Sequence, residues 1–252
     1  MSMRPGIPLR FRLAEEMRQQ AEHANQGPLN LTALMFRRIK GDLNVNSVLW
    51  SSRMNLYLKD PRNDIIQTSR GRSSERSNLN RGLTHPEMTI TNFIKGLRVL
   101  RPLHAKFMFL LEHVDGSRTV HVEEMSEEDL YTQYHNERFP GRHNVLSKLF
   151  TEMKKTLIKD EEDWNNRFKN YLDDPVNGFS GTKRGSERGN LNRGLSNPNM
   201  SIKNFTKGLK VINPARIYFS LEMTFMKDQI TIHEVVMDGN HLHVQGDDDP
   251  EE

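Results

Sequence analysis

Apolar residues recur along the chain with two different periods, and the periods alternate in a fixed order. Val145, Leu146, Leu149, Phe150, Met153 and Leu157 follow helical spacing, so residues 144–158 read as an amphipathic helix. Asp160 opens a second helix whose Trp164, Phe168, Tyr171 and Leu172 share one face, and Asp174-Pro175 stops it. Earlier in the chain, Trp50, Met54, Tyr57 and Leu58 repeat that face ahead of Asp60-Pro61. Helical spacing assigns these aromatics to a core rather than to base stacking. Thr89 and Ser201 stand as N-caps before Ile90-Phe93-Ile94-Leu97 and Ile202-Phe205-Leu209, and each predicts a short helix. Residues 104–112 and 117–124, around Asp115-Gly116, predict a β-hairpin, with a partner at 216–224 and 229–236.

The order of elements repeats because the sequence does. Ser74-Glu75-Arg76-Ser77-Asn78-Leu79-Asn80-Arg81-Gly82-Leu83 returns, with one change, from Ser186 to Leu195 at an offset of 112. The match continues through Phe93/Phe205, Lys95/Lys207, Gly96/Gly208, Pro102/Pro214, His121/His233 and Met125/Met237. From Trp50/Trp164 to Asn63/Asn177 the offset is 114, which places a loop of variable length between Asn63 and Arg72. The chain therefore reads as a leader (1–28), a first module (29–125), a linker (126–142), a second module (143–245) and an acidic tail (246–252). Each module reads helix, helix, basic loop, helix, hairpin.

A lone hairpin is marginal in water. The expected fold is accordingly α+β, a tandem duplicated module whose hairpins merge into one four-stranded antiparallel sheet with helices over one face, packed about a pseudo-two-fold. Two independent domains on a tether form the competing arrangement. Against it, the linker carries Leu130, Tyr131, Tyr134 and Phe139 and lacks the Gly/Ser composition of a free tether.

Composition narrows the chemistry. The 252 residues include no cysteine, which excludes disulfide frameworks, thiolate nucleophiles, zinc fingers and iron–sulfur clusters. No apolar run is long enough for a membrane helix, and the N-terminus lacks a secretory signal core. The formal charge of +3 includes five acidic residues of the tail, Asp247, Asp248, Asp249, Glu251 and Glu252, so the rest of the chain sums to +8. A basic body with an acidic tail attracts phosphate, and the tail can compete for the same surface.

The basic connectors concentrate that charge. Arg70, Arg72, Arg76 and Arg81 in one copy, and Lys183, Arg184, Arg188 and Arg193 in the other, are spaced by small residues that let backbone amides approach a phosphate. Lys95 and Lys207 on the following helix join them as candidate nucleic-acid-binding residues. In the structural alternative, the arginines cap neighbouring carbonyls or pair with Glu75 and Glu187, the leucines dock in the core, and Gly82 and Gly194 adopt positive φ. That alternative accounts for the Leu and Gly and does not require Arg. His121 and His233 occupy equivalent strand positions with no evident carboxylate partner, and His241 and His243 lack the spacing of a metal site. Phosphate loops, dinucleotide fingerprints and nucleophile elbows are absent, so the expectation is a non-enzymatic protein with no cofactor and no metal.

The run Met88-Thr89-Ile90-Thr91-Asn92-Phe93-Ile94-Lys95-Gly96-Leu97-Arg98-Val99-Leu100, its second copy from Met200 to Ile212, and the ending of hairpin plus acidic tail resemble small accessory proteins of tailed bacteriophages. The likeness covers residues 30–125 and 144–249, with this chain departing from the family by being doubled. The resemblance implies a setting, the bacterial host cytoplasm or the virion, and carries no activity with it. Two functions are expected. The first is nucleic-acid binding through backbone contacts from the paired basic loops, tuned by the tail. The alternative is a protein-binding factor, a host-protein inhibitor or a virion component, using the pseudo-symmetric repeat surface.

Overall fold

The computed structural model of the chain describes residues 29–132 and 142–238. The leader, Tyr134 and Phe139 of the linker, His241, His243 and the acidic tail lie outside the described residues. The elements run α1 (Leu31–Asp42), α2 (Ser47–Lys59), α3 (Ser69–Thr84), α4 (Ile90–Leu100), β1 (His104–Glu112), β2 (Arg118–Ser126), a short α5 (Glu127–Thr132), α6 (Val145–Leu157), α7 (Glu161–Asp173), α8 (Thr182–Leu195), α9 (Ile202–Ile212), β3 (Arg216–Phe225) and β4 (Gln229–Asp238). Side chains of Asn30, Asn46, Thr68, Thr89, Asn144, Asp160 and Ser201 accept first-turn backbone N–H groups and so start α1, α2, α3, α4, α6, α7 and α9.

The architecture is α+β, with one four-stranded antiparallel sheet of order β2-β1-β3-β4. Its centre is the pairing of β1 with β3, where Met108 stands opposite Ser220. Those two residues are themselves 112 apart in sequence, so a local two-fold axis relating β1 to β3 passes between them. Burial alternates along β1, with Ala105, Phe107, Phe109 and Leu111 inward and His104, Lys106, Met108, Leu110 and Glu112 outward. On the inward face Phe109 stacks on Phe219 at 4.5 Å between centroids, with Phe93 of α4 and Phe205 of α9 edge-on to the sheet rings.

The helices that close this core are exchanged between halves. α1 packs on β4, and α6 packs on β2. Asp42 at the end of α1 meets His233 of β4 at 2.8 Å, and Lys148 of α6 pairs with Glu123 of β2. One continuous hydrophobic cluster results, from Leu31 to Met237. α5 is fastened separately: buried Arg98 donates from Nε to the Leu130 carbonyl at 2.6 Å and from Nη2 to that of Tyr131 at 3.2 Å. Tyr131 donates its hydroxyl to Asp60, and burial pushes that hydroxyl's pKa up to about 12.

Three expectations are corrected. The basic connectors are not loops: most of each is helical, in α3 and α8, and both copies of the SER-x-NLNRGL run lie inside those helices. Gly82 and Gly194 do not take positive φ; instead Asn92 and Asn204 press against them so closely that a Cβ at either position would collide with the amide. His233 does have a carboxylate partner, Asp42, supplied from the far end of the chain.

Candidate nucleic-acid interface

α3 begins where Thr68 Oγ1 accepts the Gly71 N–H at 3.1 Å, and Gly71 lacks the Cβ that would strike Ile66. Its inward stripe is Glu75, Leu79 and Leu83, one turn apart, of which both leucines are buried. Glu187, Leu191 and Leu195 form the same stripe on α8. Each glutamate is the acceptor at a three-helix junction. Glu75 Oε1 takes the Tyr57 hydroxyl at 3.0 Å and Lys95 Nζ at 2.9 Å; Glu187 Oε1 takes Tyr171 at 3.2 Å and Lys207 at 2.9 Å. Burial, followed by the Glu75 charge, drives the Tyr57 hydroxyl above its ordinary pKa, so it remains a donor.

This junction divides the ten candidates. Lys95 and Lys207 are half-buried ion-pair members whose charge is already matched. The glutamates pair with these lysines and with tyrosine, not with the arginines of their own helix. Most of the arginines are held by neutral groups instead. Arg76 donates to the Asn55 amide oxygen and Arg188 to that of Asn165, in both cases reaching α2 or α7. Arg81 donates to Asn78 at 3.1 Å and Arg193 to Asn190 at 2.6 Å. Arg72 donates to the Gln67 carbonyl at 3.0 Å and to its side-chain oxygen at 3.3 Å. Arg70 is exposed on the first turn of α3 and makes no hydrogen bond or ion pair among the described residues. Arg184 is the exception, in an ion pair with Asp173 at 3.0 Å, and Lys183 is exposed beside it.

Neutral partners orient a guanidinium without cancelling its charge, which leaves the remaining donors of each fork for an anion. Along α3, Arg70 and Arg81 differ by about 20° in azimuth and stand about 16 Å apart, with Ser74 and Ser77 between them. Beside α8, a surface depression of about 660 Å³ is lined by Lys154, Lys155, Trp164, Asn192 and Ser196 among others. Lys154 lies over the Trp164 ring at 4.4 Å from its centroid, and Lys40 over Trp50 at 5.0 Å. Trp164 is buried and Trp50 half-buried, so their rings are core rather than platform.

Sequence reasoning missed the amides that hold the arginines, Asn55, Asn165, Asn78 and Asn190. Asn78 and Asn190 carried a signal, three residues before an arginine in both copies of the run. Asn55 and Asn165 carried none, since at the offset of 114 they miss equivalence by four positions, about one helical turn. Among the described residues no three His, Asp or Glu side chains converge as a metal ion requires, and no helix is long and apolar enough to cross a membrane. Comparison with protein-family models, with characterised proteins and with solved structures finds no match.

Proposed function

We propose that the protein is a non-enzymatic nucleic-acid-binding factor that grips backbone phosphates with the exposed faces of α3 and α8. The observation that carries this reading is the separation of charges at the two junctions. Each helix spends its glutamate on a tyrosine and a lysine, while Arg70, Arg72, Arg76, Arg81, Arg188 and Arg193 keep uncancelled charge on neutral or absent partners. Arginines flanked by serine and asparagine supply charge and hydrogen bonds without a sequence-reading surface. The acidic tail is the internal competitor for those faces, and the setting implied by the resemblance, host cytoplasm or virion, supplies the nucleic acid.

The test is titration of labelled duplex and single-stranded DNA and RNA with the intact chain and with a chain carrying Arg76→Ala, Arg81→Ala, Arg188→Ala and Arg193→Ala. Binding lost in the variant, and tightened by deletion of residues 246–252, is the expected result. No binding at low salt overturns the reading. The second reading, a protein-binding factor, draws on a different surface: the outward face of the sheet, which no described helix covers.

A further inference from the structure

The outward face of the sheet combines exposed apolar positions with charged residues, and three of its cation–anion pairs are matched when the face meets its own rotated copy. Val120, Val122, Ile230 and Ile232 are exposed on the edge strands, and Met108, Leu110, Tyr218 and Val236 lie half-buried between them. Exposed apolar residues gathered on one face of a sheet mark a candidate interaction surface. The strand register defines the rows that cross it. One end reads Arg118, Glu112, Arg216, Asp238 across β2, β1, β3 and β4, which is plus, minus, plus, minus. The next outward row reads Val120, Leu110, Tyr218, Val236, all apolar. The third row reads Val122, Met108, Ser220, Glu234, and the fourth Glu124, Lys106, Glu222, Ile232.

Two-fold rotation about an axis parallel to the strands sets β2 of one copy over β4 of the other, and β1 over β3. Under that operation Arg118 faces Asp238, Glu112 faces Arg216, Lys106 faces Glu222, and the apolar row faces itself. Within one chain Arg118 already pairs with Glu112 at 3.1 Å and Lys106 with Glu124 at 3.3 Å, so the contacts between copies would extend existing ion pairs. The same rotation sets Glu124 against Ile232 and Glu234 against Val122 on the edge strands, two contacts that oppose the three matched charge pairs. Four strands spaced about 4.8 Å and nine residues long give a face of roughly 19 by 30 Å. Two such faces bury about 1,100 Å², which clears the roughly 1,000 Å² floor of a biological interface and falls in the range of weak, reversible association. We propose that this face is a self-association surface, on which two copies of the chain pack sheet to sheet in an isologous dimer, with Arg118 of each copy opposite Asp238 of the other.

The pair Arg118 and Asp238 makes the proposal testable, because within one chain they sit on opposite edge strands, three strand spacings or about 14 Å apart. Sedimentation equilibrium of the full chain over a concentration series from micromolar to hundreds of micromolar is expected to show a reversible monomer–dimer equilibrium. Arg118→Glu weakens it by about tenfold, and adding Asp238→Arg restores it to within about threefold of the parent. Val120→Asp, at a position 59% exposed on β2, is expected to abolish the dimer while the circular dichroism spectrum stays that of the parent. A chain that stays monomeric throughout the series overturns the proposal. So does a dimer that survives Val120→Asp and ignores the charge exchange, since another surface then joins the copies. Dimerisation that appears only after removal of residues 239–252 also overturns it for the intact chain, and assigns the face to that segment.

Discussion

The Asp42 carboxylate lies 2.8 Å from Nδ1 of His233, joining the end of the first described helix to the last described strand across 191 positions of sequence. His233 is 1% exposed, and its Nε2 meets the Thr231 hydroxyl at 3.0 Å, so both ring nitrogens are satisfied inside the protein. Asp42→Ala leaves a buried nitrogen without its partner and is expected to cost about 1–3 kcal/mol, read as a shift in urea midpoint. An unchanged midpoint would show that the contact contributes nothing to stability.

The same exchange of helices predicts how the chain divides. A fragment of residues 29–126 keeps α1 but loses the strand it covers, and it bares the β1 edge that β3 occupies in the intact chain. That fragment is expected to lack a cooperative thermal transition, while mixing it with residues 142–245 restores one. A folded isolated fragment would contradict the shared core.

Close helix packing depends on two glycines. A Cβ on Gly96 would strike the Phe36 ring and Leu83, and one on Gly208 the Phe150 ring and Leu195. Gly96→Ala and Gly208→Ala are each expected to destabilise by about 1–3 kcal/mol, although alanine is the better helix former. Gly185→Ala on α8, where a Cβ meets open space, provides the control and is expected to raise Tm slightly.

His121 gives the fold a pH dependence with a definite sign. Burial, and after it the charge of neighbouring His113, hold its imidazole below the ordinary pKa near 6.5. The unfolded chain therefore binds a proton that the folded chain refuses. The stability this protects is fully present above about pH 6.5 and is lost as pH falls from there through the folded value. His121→Gln is expected to flatten the decline in urea midpoint between about pH 7 and pH 5. A slope identical to that of the parent chain would rule His121 out as its source.

Most element boundaries were legible because local signals agreed. Asp160, Thr89 and Ser201 cap as their side chains and positions suggest, and the hairpins start and stop within two residues of the alternation that announces them. The helices α3 and α8 were not legible, for a physical reason. Their N-terminal halves bury no apolar residue, and glycine and serine fill the positions where a 3.6-residue period would appear. What holds α3 there is the Thr68 cap, the seat of Ile66 on Gly71, and Glu75 reaching Tyr57 and Lys95. Tyr57 and Lys95 lie on other helices, so sequence periodicity does not register them. The candidate cations were identified by type, but which of them retain uncancelled charge depends on tertiary partners alone.

The most direct test of the account is the salt dependence of duplex DNA binding, measured for single variants. Each phosphate contact adds about 0.9 to the magnitude of the slope of log K against log salt. Arg70→Ala, Arg76→Ala, Arg81→Ala, Arg188→Ala and Arg193→Ala are each expected to reduce that slope by nearly one contact. Lys95→Met and Lys207→Met are expected to lower Tm and leave the slope unchanged, because Glu75 and Glu187 already hold those ammonium groups. Slopes that fall for the lysine variants and not for the arginine variants, or binding that does not respond to salt, would contradict it.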